Sequence, residues 1–145
     1  MMHTDAPYGP WLRTRVLPEG VSLQVLNTDG DVLFCSRAKW LHPLLEVERF
    51  VQEQHLDPTT LVLHDRIAGR AAAALSVHIG FRTVRLSLMS RLAEQVYRRH
   101  GIIYFADTVV DRIACRTEDI IDDTMDLTRI HAMIVERAAR SRTDS

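Results

Sequence analysis

Thr60-Leu61-Val62-Leu63-His64-Asp65-Arg66-Ile67-Ala68-Gly69-Arg70-Ala71-Ala72-Ala73-Ala74-Leu75 is the stretch on which the fold turns. Its opening, residues 60–63, is a short apolar run of strand length. From Ile67 the small residues Ala68 to Ala74 read as a helix that packs closely on a neighbour, stopped by Gly80. Phe81-Arg82-Thr83-Val84-Arg85-Leu86-Ser87-Leu88 then alternates as a second strand. Strand, helix and strand in close succession imply two parallel strands joined by a right-handed crossover.

The pattern extends outward from there. Upstream, Val21-Ser22-Leu23-Gln24-Val25 alternates with period two, Asn27-Thr28-Asp29-Gly30 supplies a turn, and Val32-Leu33-Phe34-Cys35 runs apolar, which together predict a β-hairpin. Pro43 suits the first turn of a helix carrying Leu44, Val47 and Val51 on one face, ending before Asp57-Pro58. Downstream, Ser90 is a good N-cap for a helix through Leu92, Ala93, Val96 and Tyr97 to Gly101. Ile102-Ile103-Tyr104-Phe105 is the fifth strand; Val109, Val110 and Ile113 form an apolar piece of unassigned type; Leu127, Ile130, Met133, Ile134 and Ala138 mark a final helix. The expected architecture is α/β: a three-layer α/β/α sandwich around a mixed, mostly parallel five-stranded sheet. Residues 1–20, with three prolines and two glycines, read as an arm, 21–140 as the domain and 141–145 as a polar tail.

Bulk properties exclude several classes. The chain has 145 residues, 46% hydrophobic and 26% charged, which is ordinary globular composition for one domain. Eighteen basic residues against 19 acidic ones leave a net charge of -1, so nothing draws the protein to a nucleic-acid polymer or an anionic membrane. Two cysteines, Cys35 and Cys115, are far apart and fit free thiols in a reducing compartment. Without a signal-like N-terminus or a membrane-length apolar run, the expected location is the cytoplasm.

In an open α/β sheet, ligands bind at the carboxyl ends of the strands. That edge gathers Ser36-Arg37, His64-Asp65-Arg66, Met89-Ser90-Arg91 and Asp107-Thr108. The opening of the Ala-rich helix offers free backbone N–H groups and the positive end of its dipole, which suit a phosphate or carboxylate. Arg66 and Arg70 would add charge to hold the anion, Gly69 would leave room, and Asp65 would contact a hydroxyl or base. Asp65 as a plain N-cap, with the alanines merely packing on the sheet, accounts for the same residues equally well. Ser90 reads first as an N-cap, and Arg91 reinforces the anion site if it turns inward.

The run Asp65-Arg66-Ile67-Ala68-Gly69-Arg70-Ala71-Ala72-Ala73, with Leu88-Met89-Ser90 and Gly101-Ile102 after it, resembles an uncharacterised domain-of-unknown-function family whose fold is cytidine-deaminase-like. The resemblance covers roughly Val21 to Arg116. It implies a five-stranded sheet whose first strand is antiparallel to the rest. The family pattern has a Cys-Pro-x-Glu segment after an Arg near the end of the domain, whereas here Arg116 is followed by Thr117-Glu118-Asp119-Ile120, so any role resting on that thiol does not carry over.

Zinc deaminases hold the metal with an H-x-E motif at one helix opening and P-C-x-x-C at the next. The corresponding openings here, Lys39-Trp40-Leu41-His42-Pro43 and His64-Asp65-Arg66-Ile67-Ala68-Gly69, hold no cysteine, and Leu44 stands two residues after His42 where Glu would be needed. His42, His64 and Asp65 make a three-ligand set on paper only. The acidic set Glu118, Asp119, Asp122, Asp123 and Asp126 is more simply a solvated face than a Mg²⁺ site. The stripe Leu127, Ile130, Met133 and Ile134 fits either packing on the body or a homodimer contact.

No metal or cofactor is therefore expected. The leading expectation is a deaminase-like protein without zinc ligands that binds a nucleotide or other phosphorylated small molecule through Asp65, Arg66, Gly69, Arg70, Ser90 and Arg91. The alternatives are a protein-interaction module with no small-molecule chemistry and, after it, a metal-dependent deaminase or hydrolase. Whether any reaction is catalysed is open at this level.

Overall fold

The computed structural model describes residues 10–113, 121 and 124–144. A short helix α1 (Trp11–Thr14) precedes the hairpin β1 (Leu23–Leu26) and β2 (Val32–Ser36). Then follow α2 (His42–Glu53), a 3₁₀ turn at Pro58–Thr60, β3 (Val62–Ala68), α3 (Arg70–Ile79), β4 (Thr83–Ser90), α4 (Arg91–Arg99), β5 (Ile103–Val110) and α5 (Leu127–Asp144). The sheet order is β2-β1-β3-β4-β5. β1 runs antiparallel to both its neighbours, and β3, β4 and β5 are parallel to one another.

Local chemistry explains most of the boundaries. In the hairpin turn, Asn27 Oδ1 accepts from the Asp29 and Asp31 N–H groups, and Gly30 takes φ +88, which L side chains disfavour. Pro43 lies in the first turn of α2. Ser90 caps α4 by accepting from Ala93 N–H at 3.1 Å. Gly80 ends α3 at φ +122.

Each strand divides its side chains between two layers. Leu23, Val25, Leu63, Val84 and Leu86 join the main core, with Leu44 and Val47 of α2, Ala71–Leu75 of α3, and Ala93 and Tyr97 of α4. The alanines of α3 are buried, so that helix lies close to the sheet. Ile130 and Ile134 of α5 join the same core, and the apolar stripe of the last helix is thus packed on the body of its own chain. On the opposite face, Leu26 and Val62 meet the fully buried Leu12 of α1. The third layer is this N-terminal segment, and much of what it covers is polar.

Three boundaries differ from the sequence expectation. The third strand is not 60–63 but runs to Ala68, so His64, Asp65 and Arg66 are ladder residues rather than a loop. β3 is bonded on both sides, to β1 and β4, and these pairings outweigh the polar character of its side chains. As a result α3 starts at Arg70 with Gly69 as its N-cap, and Asp65 caps nothing. Val109 and Val110 belong to β5, and α5 continues through the segment that reads as a polar tail.

Candidate functional site

Extending β3 to Ala68 carries Asp65 to the floor of a cavity of about 380 Å³. The cavity opens at the carboxyl end of β3, between the beginnings of α2 and α3. One wall is Trp40, Leu41, Pro43 and Leu44; the other is Gly69, Ala71 and Ala72; Ile67 and Ile113 complete an apolar surround. The openings of α2 and α3 therefore border one space. Neither helix has a side-chain cap, and neither has an acidic residue in its first turn. At α2 the His42 and Leu45 N–H groups bond to the Lys39 and Leu41 carbonyls and Pro43 has none, so it is chiefly the first turn of α3, at Ala71 and Ala72, that offers N–H groups to the cavity, together with the positive ends of both dipoles.

Two features mark the cavity as more than a packing gap. Trp40 stands at its mouth with φ +59, a conformation costly for a bulky side chain, and it is 39% exposed with its ring edge-on to His42. Asp65 is the carboxylate among the described residues of its lining. Burial raises that carboxyl from 3.8 to about 7, against the smaller pull of the Arg66 and Ile67 backbone N–H groups. Lys39, the only lysine in the chain, also lines the space.

The reverse face of β3 has a different chemistry. His64, wholly buried, lies in register with Gln24 on β1 and Arg85 on β4. Arg15 reaches across from the N-terminal segment, its NH1 at 2.7 Å from His64 Nδ1 and its NH2 donating to Gln24 Oε1 at 2.7 Å. Because arginine only donates, Nδ1 is the acceptor, and the imidazole proton sits on Nε2, which is buried without a partner. Arg85 donates to the carbonyls of Leu12 and Leu86 and to Asp107 Oδ1, tying the N-terminal segment to β4 and β5.

The expected site residues separate accordingly. Asp65, Arg66 and Gly69 line the cavity. The Arg66 guanidinium, however, turns to the other face and donates to the carbonyls of Val21 and Pro18. Arg70 borders a second depression, between α3, α4 and α5, and donates to the Ile121 carbonyl. Ser90 is buried as the α4 cap, and Arg91 pairs with Asp111 on the surface. The paper zinc set is not assembled: His64 and Asp65 are adjacent on one strand and face opposite layers. Asp126 of the acidic set accepts from Arg129 N–H at the start of α5, while Glu118, Asp119, Asp122, Asp123 and Cys115 lie outside the described residues. Trp40 and Lys39 join the site beyond the residues that the sequence points to; the helix opening Lys39–Pro43 is the available signal.

The architecture is that of an α/β/α sandwich with a five-stranded mixed sheet. Among solved structures it is similar to a DUF1893 family protein (TM1506) from Thermotoga maritima, with a TM-score of 0.69 and 18% identity over 81% of this chain and 80% of that one. At that identity the likeness speaks for the fold. No protein-family model matches the sequence, and no curated protein matches it. No helix among the described residues is long and apolar enough to cross a membrane.

Proposed function

We propose that the protein binds a mononucleotide, or a phosphorylated heterocycle of similar size, in the Asp65 cavity. The observation that carries this reading is the convergence of two helix openings without side-chain caps on one apolar space with, among the described residues, one desolvated carboxyl in it. At about 380 Å³ the cavity is near the small end of ligand sites, which run from roughly 300 to 1,000 Å³, and this favours a mononucleotide over a dinucleotide. The apolar walls take a flat ring, and Trp40 offers a face to stack it. A carboxyl that is half protonated near neutral pH both donates and accepts, which suits the mixed edge of a base. The helix openings and Lys39 take the anionic end.

The strand order, with β1 antiparallel to the rest, supports the deaminase-like reading of the scaffold. Among the described residues the cavity lining contains no histidine or cysteine, and the reading is of ligand binding without zinc chemistry at that position. A thermal-shift panel of nucleosides and mononucleotides on the full chain, with tryptophan fluorescence as a second readout, tests it. A member of the panel raises Tm and quenches Trp40, and Trp40→Ala loses the quench. A panel that moves neither signal removes the proposal.

A further inference from the structure

We propose a second, separate site: a transition-metal centre formed by Glu48 of α2, His78 of α3 and His131 of α5. Each offers one ligand atom, and these atoms all lie within 4.8 Å of one another. His131 Nε2 is 2.9 Å from Glu48 Oε1, and the His78 ring stacks on that of His131 with centroids 4.3 Å apart and planes 24° apart. All three side chains are partly buried, so the point of convergence is sheltered but open on one side.

A helix-packing hydrogen bond accounts for Glu48 and His131 together. The ring stack then brings a second imidazole, His78 from a third helix, to the same point. Two imidazole nitrogens and one carboxylate oxygen form a donor set for borderline ions such as Zn²⁺, Co²⁺ or Ni²⁺, whereas Mg²⁺ and Ca²⁺ prefer oxygen throughout. Three protein ligands leave one position for water or a ligand. In a tetrahedral site with zinc bonds of about 2.0–2.2 Å the donors stand roughly 3.3–3.6 Å apart, so binding draws the widest pair in by up to about 1.5 Å and turns the two imidazoles out of their near-parallel stack. Side-chain torsions at a partly exposed site accommodate that.

The site is independent of the Asp65 cavity. His78 is in the last turn of α3, at the opposite end from the cavity, roughly 12 Å along the helix from Arg70 at 1.5 Å per residue. An ion there clamps α5 to α2 and α3, next to the buried Ile130 and Ile134. It departs from the metal-free expectation because no local motif announces it: the three ligands come from distant parts of the chain.

The test is calorimetric titration of the chelator-treated full chain with zinc chloride, with cobalt chloride in parallel for its visible absorption. One ion binds per chain, Tm rises, and the cobalt spectrum shows nitrogen ligation. Loss of an outer-shell partner already weakens metal sites by roughly 10–100-fold, so His78→Gln and His131→Gln each weaken zinc by at least that much. Glutamine at 131 keeps a donor for Glu48, so the apo fold, followed by circular dichroism, is retained. If the wild type fails to bind, or binds no better than the His78→Gln/His131→Gln double variant, the site does not exist.

Discussion

His64 and Asp65 are consecutive on β3, face opposite layers, and have their ionisation displaced in opposite directions. Asp65, in the apolar cavity, is raised to about 7 by burial. His64 is lowered to about 3, first by burial and then by the positive charges of Arg15, Arg85 and Arg66. Near neutral pH the central strand thus holds a neutral imidazole on one face and a half-protonated carboxyl on the other, and stability records both.

Asp65→Asn removes a pH-dependent cost. Between pH 3.8 and about 7 the folded carboxyl keeps its proton while the unfolded one loses it. The folded state binds more protons, so this group's contribution makes stability fall as pH rises through that window. The variant is more stable than wild type at pH 8, by roughly 2–4 kcal/mol, and gains nothing at pH 3. Urea denaturation at the two pH values measures it. If the cavity binds through this carboxyl, the same variant also loses ligand-induced stabilisation.

His64→Gln exposes the opposite slope. Between about 3 and 6.5 the unfolded imidazole takes up a proton that the folded one refuses, so its contribution falls as pH drops. From pH 3.8 to 6.5 the two residues oppose each other and flatten the wild-type profile. With glutamine at 64, stability declines with rising pH up to about 7; with asparagine at 65, it declines with falling pH below 6.5. Denaturation midpoints at half-unit pH steps separate the two profiles.

Arg85→Leu uncouples the N-terminal segment from the sheet. Arg85 is 1% exposed and satisfies the Leu12 and Leu86 carbonyls and Asp107 at once. Its loss leaves the Leu86 carbonyl buried and frees the Leu12 anchor, at a cost of about 2–4 kcal/mol. Limited trypsin digestion then cuts at Arg13 and Arg15 well before the rest of the domain, whereas wild type resists there.

Trp40→Gly separates stability from binding. Glycine takes φ +59 freely, so the substitution relieves roughly 1 kcal/mol of backbone strain, while the half-exposed ring gives up little packing. Tm holds or rises, and ligand-induced stabilisation disappears. A large fall in Tm would mean that the ring is there for packing.

The parts of the fold set by neighbouring residues were legible in the sequence. Asn27 to Gly30, Pro43, Gly80 and Ser90 each fix a turn or helix end through chemistry within a few positions. The course of β3 was not, because His64, Asp65 and Arg66 are polar in a central strand, and the groups that make this tolerable are Arg15 for His64, the Val21 and Pro18 carbonyls for Arg66, and backbone N–H groups for Asp65. The candidate site divides the same way. Asp65 and Gly69 are carried into the cavity by the backbone itself. Arg66, Arg70 and Arg91 are long side chains that find partners within the protein, and no local pattern foretells that choice. Trp40 acquires its place only when α2 and α3 meet.

The central claim, a cavity built around a carboxyl whose pKa is raised by burial, is tested most directly by following the Asp65 side-chain carboxyl carbon by NMR through a pH titration of the wild-type chain, assigned with Asp65→Asn. A midpoint near 7 is the predicted result. A midpoint near the ordinary 3.8 would place the carboxylate in water and contradict the account.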